Sequence, residues 1–180
     1  MANIANLLTE HMAIWTAAES VKKSGRGNTS SNSSGVYGVK KLRELILELA
    51  ISGKLVNSEE SWEQTKLGNL GPWAIGGGFP AAEQGSQSGN ILFAKVSDMN
   101  NIGNEKFIFH TNNTITEEVA KKLKANIHPE GTVIFPKIGG AIATNKRRIL
   151  VKPTAIDNNC LGITPNIGVT TDWLYLVPRG

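Results

Sequence analysis

The sequence predicts an α/β fold of the mixed α+β type, in which N-terminal helices precede an irregular domain of short strands and a few helices. Two observations lead to this prediction. In residues 1–61 the apolar side chains recur at spacings of three and four, which is typical of amphipathic helices. From Trp62 onward glycine is frequent, and short apolar runs alternate with turn residues, as they do in short strands.

A first helix is expected within residues 1–23, from Asn3 to about Val21. Its apolar stripe consists of Ile4, Leu7, Leu8, Met12 and Trp15. Residues 24–36 follow as a run dominated by Gly, Ser, Asn and Thr, which cannot bury a core. We therefore expect a flexible linker between this helix and the next one.

A second helix is expected from Val39 to Ser52, within a helix and connector that span residues 37–61. Its apolar positions repeat at i, i+3, i+4 and i+7, namely Leu42, Leu45, Ile46 and Leu49. Gly53 is placed to end the helix. The apolar face from Leu45 to Ile51 is wide and needs a partner, which is the first helix, the following domain or another subunit. Left unpaired, this face favours self-association.

Residues 62–175 are expected to form one domain whose strands come in short pieces. The strand candidates are Ile91–Val96, Phe107–His110, Gly131–Pro136, Arg148–Val151 and Trp173–Tyr175. The segment Thr114-Ile115-Thr116-Glu117 has the form of a capping box, so a short helix is expected from there to about Ala125. Residues 176–180 match the remnant of a thrombin cleavage site, and we expect them to be non-native.

The composition is that of a soluble globular protein, with 40% hydrophobic and 19% charged residues in a chain of 180. No apolar run approaches the roughly 20 residues that a membrane span needs. The start of the chain lacks the basic and apolar regions of a signal peptide. Since the single cysteine, Cys160, cannot form an internal disulfide, a cytoplasmic location is expected.

The motifs of common nucleotide-dependent and metal-dependent enzymes are absent from the sequence. No Gly-Lys-Ser/Thr follows Gly76-Gly77-Gly78, and no G-x-G-x-x-G occurs. These glycines are therefore expected to serve backbone conformation, through a positive φ or a close approach. His11, His110 and His128 lie far apart and, with one cysteine, lack the spacing of a zinc site. We expect a chain that is not an enzyme and that binds neither metal nor cofactor.

Positive charge is concentrated in one part of the chain. The formal net charge is +4, and residues 95–152 alone hold ten Lys/Arg against five Asp/Glu. Such clustering is the usual footprint of a phosphate-binding face. On charge alone a solvated basic surface explains the pattern equally well, and it is the favoured interpretation of Lys121, Lys122 and Lys124 on the predicted helix.

Three stretches, taken together in their order and spacing, resemble the specificity subunits of type I restriction-modification enzymes. The first comprises Leu7-Leu8-Thr9-Glu10-His11, Trp15, Tyr37-Gly38 and the helix from Lys41 to Ala50, ending in Gly53-Lys54-Leu55-Val56. The second runs from Lys66-Leu67-Gly68 to Gly76-Gly77-Gly78-Phe79-Pro80, similar to the family's Gly-Gly-Thr-Pro loop. The third is Lys95-Val96-Ser97-Asp98-Met99, followed by the helix from Ile115 to Ala125, Gly131-Thr132-Val133-Ile134-Phe135 and Gly139-Gly140. Together they cover most of residues 4–175.

The resemblance implies recognition of DNA without catalysis. A subunit of this family carries two target-recognition domains, each of which reads one half of a bipartite target in double-stranded DNA. Methyltransferase subunits bind S-adenosylmethionine, and a motor and restriction subunit uses ATP and Mg²⁺, so these cofactors are expected only on partner subunits. Residues 62–175 correspond to the first target-recognition domain.

The residues expected to contact DNA lie in the basic stretch and are Lys95, Asp98, Lys137, Thr144, Asn145, Lys146, Arg147 and Arg148. A polar and basic loop between strands can reach a groove, where arginine pairs with guanine and asparagine with adenine. Lysines more often contact phosphates, which positions a protein without reading sequence. The alternative for residues 144–148 is an ordinary basic hairpin. The alternatives for Asp98 are a contact with a cytosine amino group and a structural pairing with Lys95.

A different function class also fits the sequence: a non-catalytic protein-interaction module whose helices dock partner subunits, with an incidental basic surface. Under the DNA-binding interpretation, the modest basic excess and the lack of the family's second recognition domain predict that the isolated chain binds DNA weakly.

Overall fold

The computed structural model describes residues 4–17, 37–55 and 63–177. The chain divides into two compact units, residues 1–63 and residues 64–179. The linker expected at 24–36, the last part of the first predicted helix and residues 178–180 lie outside the described residues.

The first unit contains α1 (Ile4–Glu10), α2 (Met12–Ala17) and α3 (Tyr37–Ile51). The stretch expected to form one helix is divided at His11 into α1 and α2. Helices α2 and α3 lie against each other, and Leu42 of α3 is 7% exposed. As expected, α3 ends at Gly53, whose φ is 69°, and the N–H of Lys54 donates to the carbonyl of Leu49 at 2.8 Å.

The second unit is built from two sheets and two helices. In chain order its elements are β1 (Trp73–Ile75), β2 (Ile91–Ala94), β3 (Phe107–Ile108), β4 (Thr114–Ile115), α4 (Glu117–Leu123), β5 (Ile127–His128), β6 (Val133–Pro136), β7 (Arg148–Leu150), β8 (Thr154–Ile156), β9 (Cys160–Ile163) and α5 (Thr171–Leu176). The five-stranded sheet has the order β1-β9-β6-β7-β3 and the four-stranded sheet the order β4-β2-β8-β5. The pairs β3–β7 and β2–β8 are parallel, and the other pairs are antiparallel. The predicted mixed α+β fold is confirmed.

The five-stranded sheet is buried on both faces because successive side chains of a strand point to opposite sides. Ile134 of β6 packs in one cluster with Leu92 and Ile156 of the four-stranded sheet. The preceding residue, Val133, packs in a second cluster with Leu174 of α5. This sheet therefore lies between the other sheet and α5.

The four-stranded sheet shows the same alternation. Phe93 of β2 packs with Ala155 of β8 and Ala120 of α4, whereas its neighbours Leu92 and Ala94 belong to the cluster between the sheets. The second unit thus has four layers in the order α5, five-stranded sheet, four-stranded sheet, α4. Because the faces of both sheets are covered, the strand ends and their loops are left for contacts with a partner.

Helix α4 begins and ends as its sequence predicts. Thr116 is the N-cap, and its hydroxyl oxygen accepts a hydrogen bond from the N–H of Val119 at 3.3 Å. Glu117 and Glu118 occupy the first turn, where the helix dipole favours negative charge. The helix stops at Lys124, which adopts a left-handed conformation with φ of 50°.

The prediction of a strand at Trp173–Tyr175 is wrong, because these residues belong to helix α5. The hydroxyl oxygen of Thr170 caps this helix by accepting from the N–H of Trp173 at 3.3 Å. Three apolar residues in a row do not distinguish a short strand from a helical turn. The other strand candidates are confirmed in shorter form, whereas β1, β4, β5, β8 and β9 have no counterpart among the predicted strands.

In the glycine run after β1, Gly76 allows two backbone segments to approach each other closely. A Cβ atom on Gly76 would lie 1.8 Å from the carbonyl oxygen of Asp157, because this segment passes directly over the end of β8. The N–H of Gly77 donates to the carbonyl of Ile156 at 3.0 Å and keeps the two segments together. None of Gly76, Gly77 and Gly78 has a positive φ, so that part of the expectation is wrong.

Replacing Gly76 with alanine is expected to destabilise the second unit, because the new methyl group would collide with the Asp157 carbonyl. Overpacking of this kind costs about 1–3 kcal/mol, and more where backbone must shift. Gly77→Ala is the matched control, since its Cβ would meet no atom within 4 Å and surface changes stay within about 0.5 kcal/mol. Urea unfolding measures both variants, and equal free energies of unfolding would contradict the close approach.

Candidate nucleic-acid interface

The residues expected to bind DNA meet at one end of the sheets. Lys95 and Asp98 follow the carboxyl end of β2, and Lys137 follows the carboxyl end of β6. Arg148 opens β7, and β7 is antiparallel to β6, so Arg148 lies at the same end of the five-stranded sheet as Lys137.

Two hydrogen bonds connect the β6–β7 loop to the turn after β2. The ammonium of Lys146 donates to the side-chain oxygen of Asn100, and the guanidinium of Arg148 donates to the carbonyl of Met99. The two sheets therefore present their loops side by side, and residues far apart in sequence share one surface.

We call this surface, formed by residues 95–104 and 137–148, the loop face; it contains all eight expected residues. In the second of these segments a 3₁₀ turn is closed by the hydroxyl of Thr144, which donates to the carbonyl of Ala141 at 2.6 Å. Asn145 follows in a left-handed conformation with φ of 50°. Both Thr144 and Asn145 are exposed, so their side chains are accessible to a ligand.

The two arginines of the loop face are held by backbone carbonyls. Arg147 donates to the carbonyl of Val177, and its guanidinium carbon lies 5.8 Å from the ring centroid of Tyr175. Arg148, already bonded to the turn after β2, also donates to the carbonyl of Arg147 at 2.6 Å. Burial lowers the pKa of both guanidiniums, as expected for charges partly removed from water. Val177 belongs to the stretch expected to be non-native, so the contact of Arg147 with the natural chain is the one with Tyr175. This contact and the hydrogen bonds of Arg148 favour an anchoring role for both arginines over direct base reading.

The lysines of the loop face are more accessible than its arginines. The ammonium of Lys95 donates to Gln84 Oε1 at 3.0 Å. Lys137 is exposed, and none of the ion pairs in the described part of the chain includes it. Only its backbone is engaged, with its N–H donating to the carbonyl of Asn159 at 3.0 Å. Among the five cations of the loop face, Lys137 is the one that is exposed, which favours it for a phosphate contact.

A buried carboxylate organises the turn after β2. Asp98 is 0% exposed, and it accepts from the N–H of Lys95 at 2.7 Å and from the N–H of Asn112 at 2.8 Å. The side-chain amide of Asn101 also donates to it, at 3.4 Å. These contacts favour the structural role of Asp98. The expected pairing with Lys95 runs through the backbone of that residue, because its ammonium binds Gln84 instead.

Sequence reasoning missed the asparagines of this region. Asn100 and Asn101 close the turn after β2, and Asn112 lies beside them because its backbone is bonded to Asp98. Asn100 and Asn112 are exposed. A signal was present, since the asparagine doublets at 100–101 and 112–113 fall in loops, and asparagine both favours turns and reads adenine.

The surroundings of Cys160 and His128 favour a structural role for both residues. Burial, aided by the charge of Asp157, raises the pKa of the Cys160 thiol far above its usual range, so the thiol stays protonated and unreactive. Burial lowers the pKa of His128, whose Nε2 lies 3.2 Å from the carbonyl oxygen of Ile75.

Within the described residues, no group of three or more His, Cys, Asp or Glu side chains is placed to hold a metal ion. None of the helices described is long and apolar enough to cross a membrane.

No family model matches the chain. Over 62 residues, 34% of its length, it is 47% identical to the EcoAI type I restriction enzyme specificity subunit of Escherichia coli. Over 61 residues it is 46% identical to the EcoEI specificity subunit of the same organism, and the match spans 10% of the length of each relative. The fold matches the HsdS subunit from Thermoanaerobacter tengcongensis with a TM-score of 0.52 and 13% identity, over 77% of this chain and 34% of that one. The sequence matches confirm the resemblance to type I specificity subunits, and the structural match shows the shared fold.

Replacing Asp98 with asparagine is expected to lower the free energy of unfolding by about 1–3 kcal/mol, because a buried N–H would then face an amide NH₂ in place of an oxygen. Asp172→Asn is the control, since Asp172 is exposed and its ion pair with Lys106, at 2.8 Å, is also exposed. Loss of such a pair costs about 0–1 kcal/mol. Denaturant unfolding compares the two variants, and a variant at Asp98 as stable as the control would contradict the organising role of this carboxylate.

Proposed function

We propose that this chain is a DNA sequence-recognition module of a type I restriction-modification system and that it reads one half of a bipartite target. The observation that carries the proposal is the convergence of the expected DNA-binding residues on the loop face. The sequence similarity to the EcoAI specificity subunit supports the choice of system.

The chemistry of the loop face suits double-stranded DNA. Lys95, Lys137 and Lys146 supply positive charge for phosphates, which positions a protein along the duplex. Thr144 and Asn145 are exposed at the end of the 3₁₀ turn, and side chains of these types hydrogen-bond to base edges in the major groove. In this proposal the two arginines hold the loop in the shape that presents these side chains.

The proposal assigns catalysis to partner subunits. Methyltransferase subunits would bind S-adenosylmethionine, and a motor and restriction subunit would use ATP and Mg²⁺, while this chain itself holds no cofactor and acts in the cytoplasm. The sequence carries none of the nucleotide-binding motifs or zinc-site spacings considered above, which supports a non-catalytic role.

The isolated chain is expected to bind DNA weakly. One loop face offers few phosphate contacts, and non-specific binding of this kind has dissociation constants of about 10⁻⁴ to 10⁻⁶ M at physiological salt. Selective binding then depends on the assembled enzyme, in which a second recognition domain and the methyltransferase add contacts to the same DNA.

Exchanging residues 62–175 for the matching segment of a related specificity subunit is expected to change one half of the methylated target. The reason is that this segment carries the loop face. Methylome sequencing of cells that carry the complete system measures the target before and after the exchange. Exchange of residues 37–55 is the control and is expected to leave both halves unchanged. Methylation that continues at both halves of the original target would instead favour an interaction module.

Replacing Lys137 with alanine is expected to weaken binding by a similar factor for all DNA sequences, because a phosphate contact carries no sequence information. The slope of log K against log salt should become shallower by about 0.9. Lys121→Ala is the control, since it removes the same charge from an exposed position on α4, outside the loop face. Fluorescence anisotropy with a mixed-sequence duplex measures both slopes, and equal slopes would contradict the contact.

A further inference from the structure

The side chains of Asn101 and Asn112 lie against each other, beside the buried carboxylate of Asp98. The side-chain nitrogen of Asn101 lies 3.3 Å from Asn112 Oδ1 and 3.4 Å from Asp98 Oδ1. The backbone N–H of Asn112 donates to the same carboxylate oxygen at 2.8 Å. One carboxylate thus holds two residues that are separated by 11 positions in the chain.

The orientation of both side-chain amides follows from this contact. A carboxylate only accepts hydrogen bonds, so Asn101 must turn its NH₂ group toward Asp98. The same NH₂ group faces Asn112, which must therefore turn its carbonyl oxygen inward and its own NH₂ group away. Each amide is oriented by its neighbour, and the pair has one consistent arrangement.

The outward-facing atoms of the pair are an acceptor and a donor. In the described part of the chain, Asn101 Oδ1 and Asn112 Nδ2 have no hydrogen-bond partner, and neither belongs to the buried unpaired atoms. Asn101 Oδ1 is therefore not fully buried, and Asn112 is an exposed residue. Because the two amides are in contact through Asn101 Nδ2 and Asn112 Oδ1, the unpaired carbonyl oxygen and the unpaired NH₂ group belong to neighbouring side chains.

We propose that this pair reads an adenine in the major groove of the target. The NH₂ group of Asn112 donates to adenine N7, and Asn101 Oδ1 accepts from the adenine N6 amino group. Guanine offers acceptors at both positions, N7 and O6, so its O6 would face the Asn101 oxygen without a proton between them. The inference rests on the proposed function and adds a base-reading element next to the β6–β7 loop.

The surrounding turn keeps the pair in place before DNA arrives. Asn104 is 0% exposed, and its side-chain NH₂ donates to the carbonyls of Asp98 at 2.9 Å and His110 at 2.8 Å. Its side-chain oxygen accepts from the N–H of Phe109 at 3.0 Å. Immobilising a side chain on binding costs about 0.5–1.5 kcal/mol, and side chains that are already ordered avoid much of this cost.

The test is Asn112→Ala in the complete enzyme, because the backbone N–H that binds Asp98 remains. Asn90→Ala is the control, since Asn90 is exposed at the opposite end of β2. The variant loses the donor to adenine N7, which is one of the two proposed hydrogen bonds. A net hydrogen bond is worth about 0.5–1.5 kcal/mol, so methylation of the enzyme's own target should drop about 2- to 13-fold. Methylome sequencing should also show that preference for adenine is weakened at one position of one half-site.

A second measurement does not depend on the stability of a variant. Target duplexes in which single adenines are replaced by 7-deazaadenine lack the N7 acceptor. The wild-type enzyme should bind one such duplex more weakly, and Asn112→Ala should bind that duplex and the natural target equally. Undiminished binding of every substituted duplex by the wild type would overturn the inference.

The outcomes separate this inference from the function on which it rests. If exchange of residues 62–175 changes one half-site while Asn112→Ala keeps the full adenine preference, the pair does not read DNA and the proposed function stands. If that exchange leaves both halves of the target unchanged, both proposals are overturned.

Discussion

The loop face depends on the buried carboxylate of Asp98. Where the chain turns at the end of a buried strand, its backbone N–H groups lose their partners in the sheet. A buried N–H group without a hydrogen-bond acceptor costs about 1–3 kcal/mol. Asp98 satisfies two such donors, on Lys95 and Asn112, that lie on different segments. The turn after β2 and the segment before β4 are thereby held together. Because a carboxylate accepts several hydrogen bonds at once, the single side chain of Asp98 satisfies donors that would otherwise each need an acceptor of their own.

The layered packing explains why the loop face lies at the ends of the strands. Strands covered on both faces need apolar side chains in both directions, as Val133 and Ile134 show. Exposed polar side chains are then found in the loops at the two ends of the sheets and on the outer side of helix α4. Lys137 and Arg148 flank one connection between antiparallel strands, so they reach the same end. The contact between Arg148 and Met99 brings the second sheet's loop to that end as well.

Local signals could be predicted from the sequence, and pairings over long distances could not. Helix α4 is predicted because its cap at Thr116 and its end at Lys124 depend on nearby residues. Strand β8 is missed because only its pairing with β2, some sixty residues earlier, identifies so short a segment as a strand. The same limit applies to the site. Charge marks Arg148 as a candidate, but the carbonyl that occupies it belongs to Met99, 49 residues earlier in the chain.

Anchoring and reading are assigned to different side chains, and this separation has a consequence for specificity. Asp98 and Arg148 are bonded to backbone atoms, which a change of side chain elsewhere does not remove, and Arg147 contacts the ring of Tyr175. Exposed side chains such as Asn145 add little to the stability of the fold, so under the proposed function changes there would alter contacts with DNA at small cost in folding free energy. A rigid loop also discriminates better, because a mismatched base leaves polar groups unpaired and an ordered side chain does not relax to accommodate it. Changes of target are therefore expected to arise at exposed positions, while the carboxylate and the two guanidiniums keep the shape of the surface.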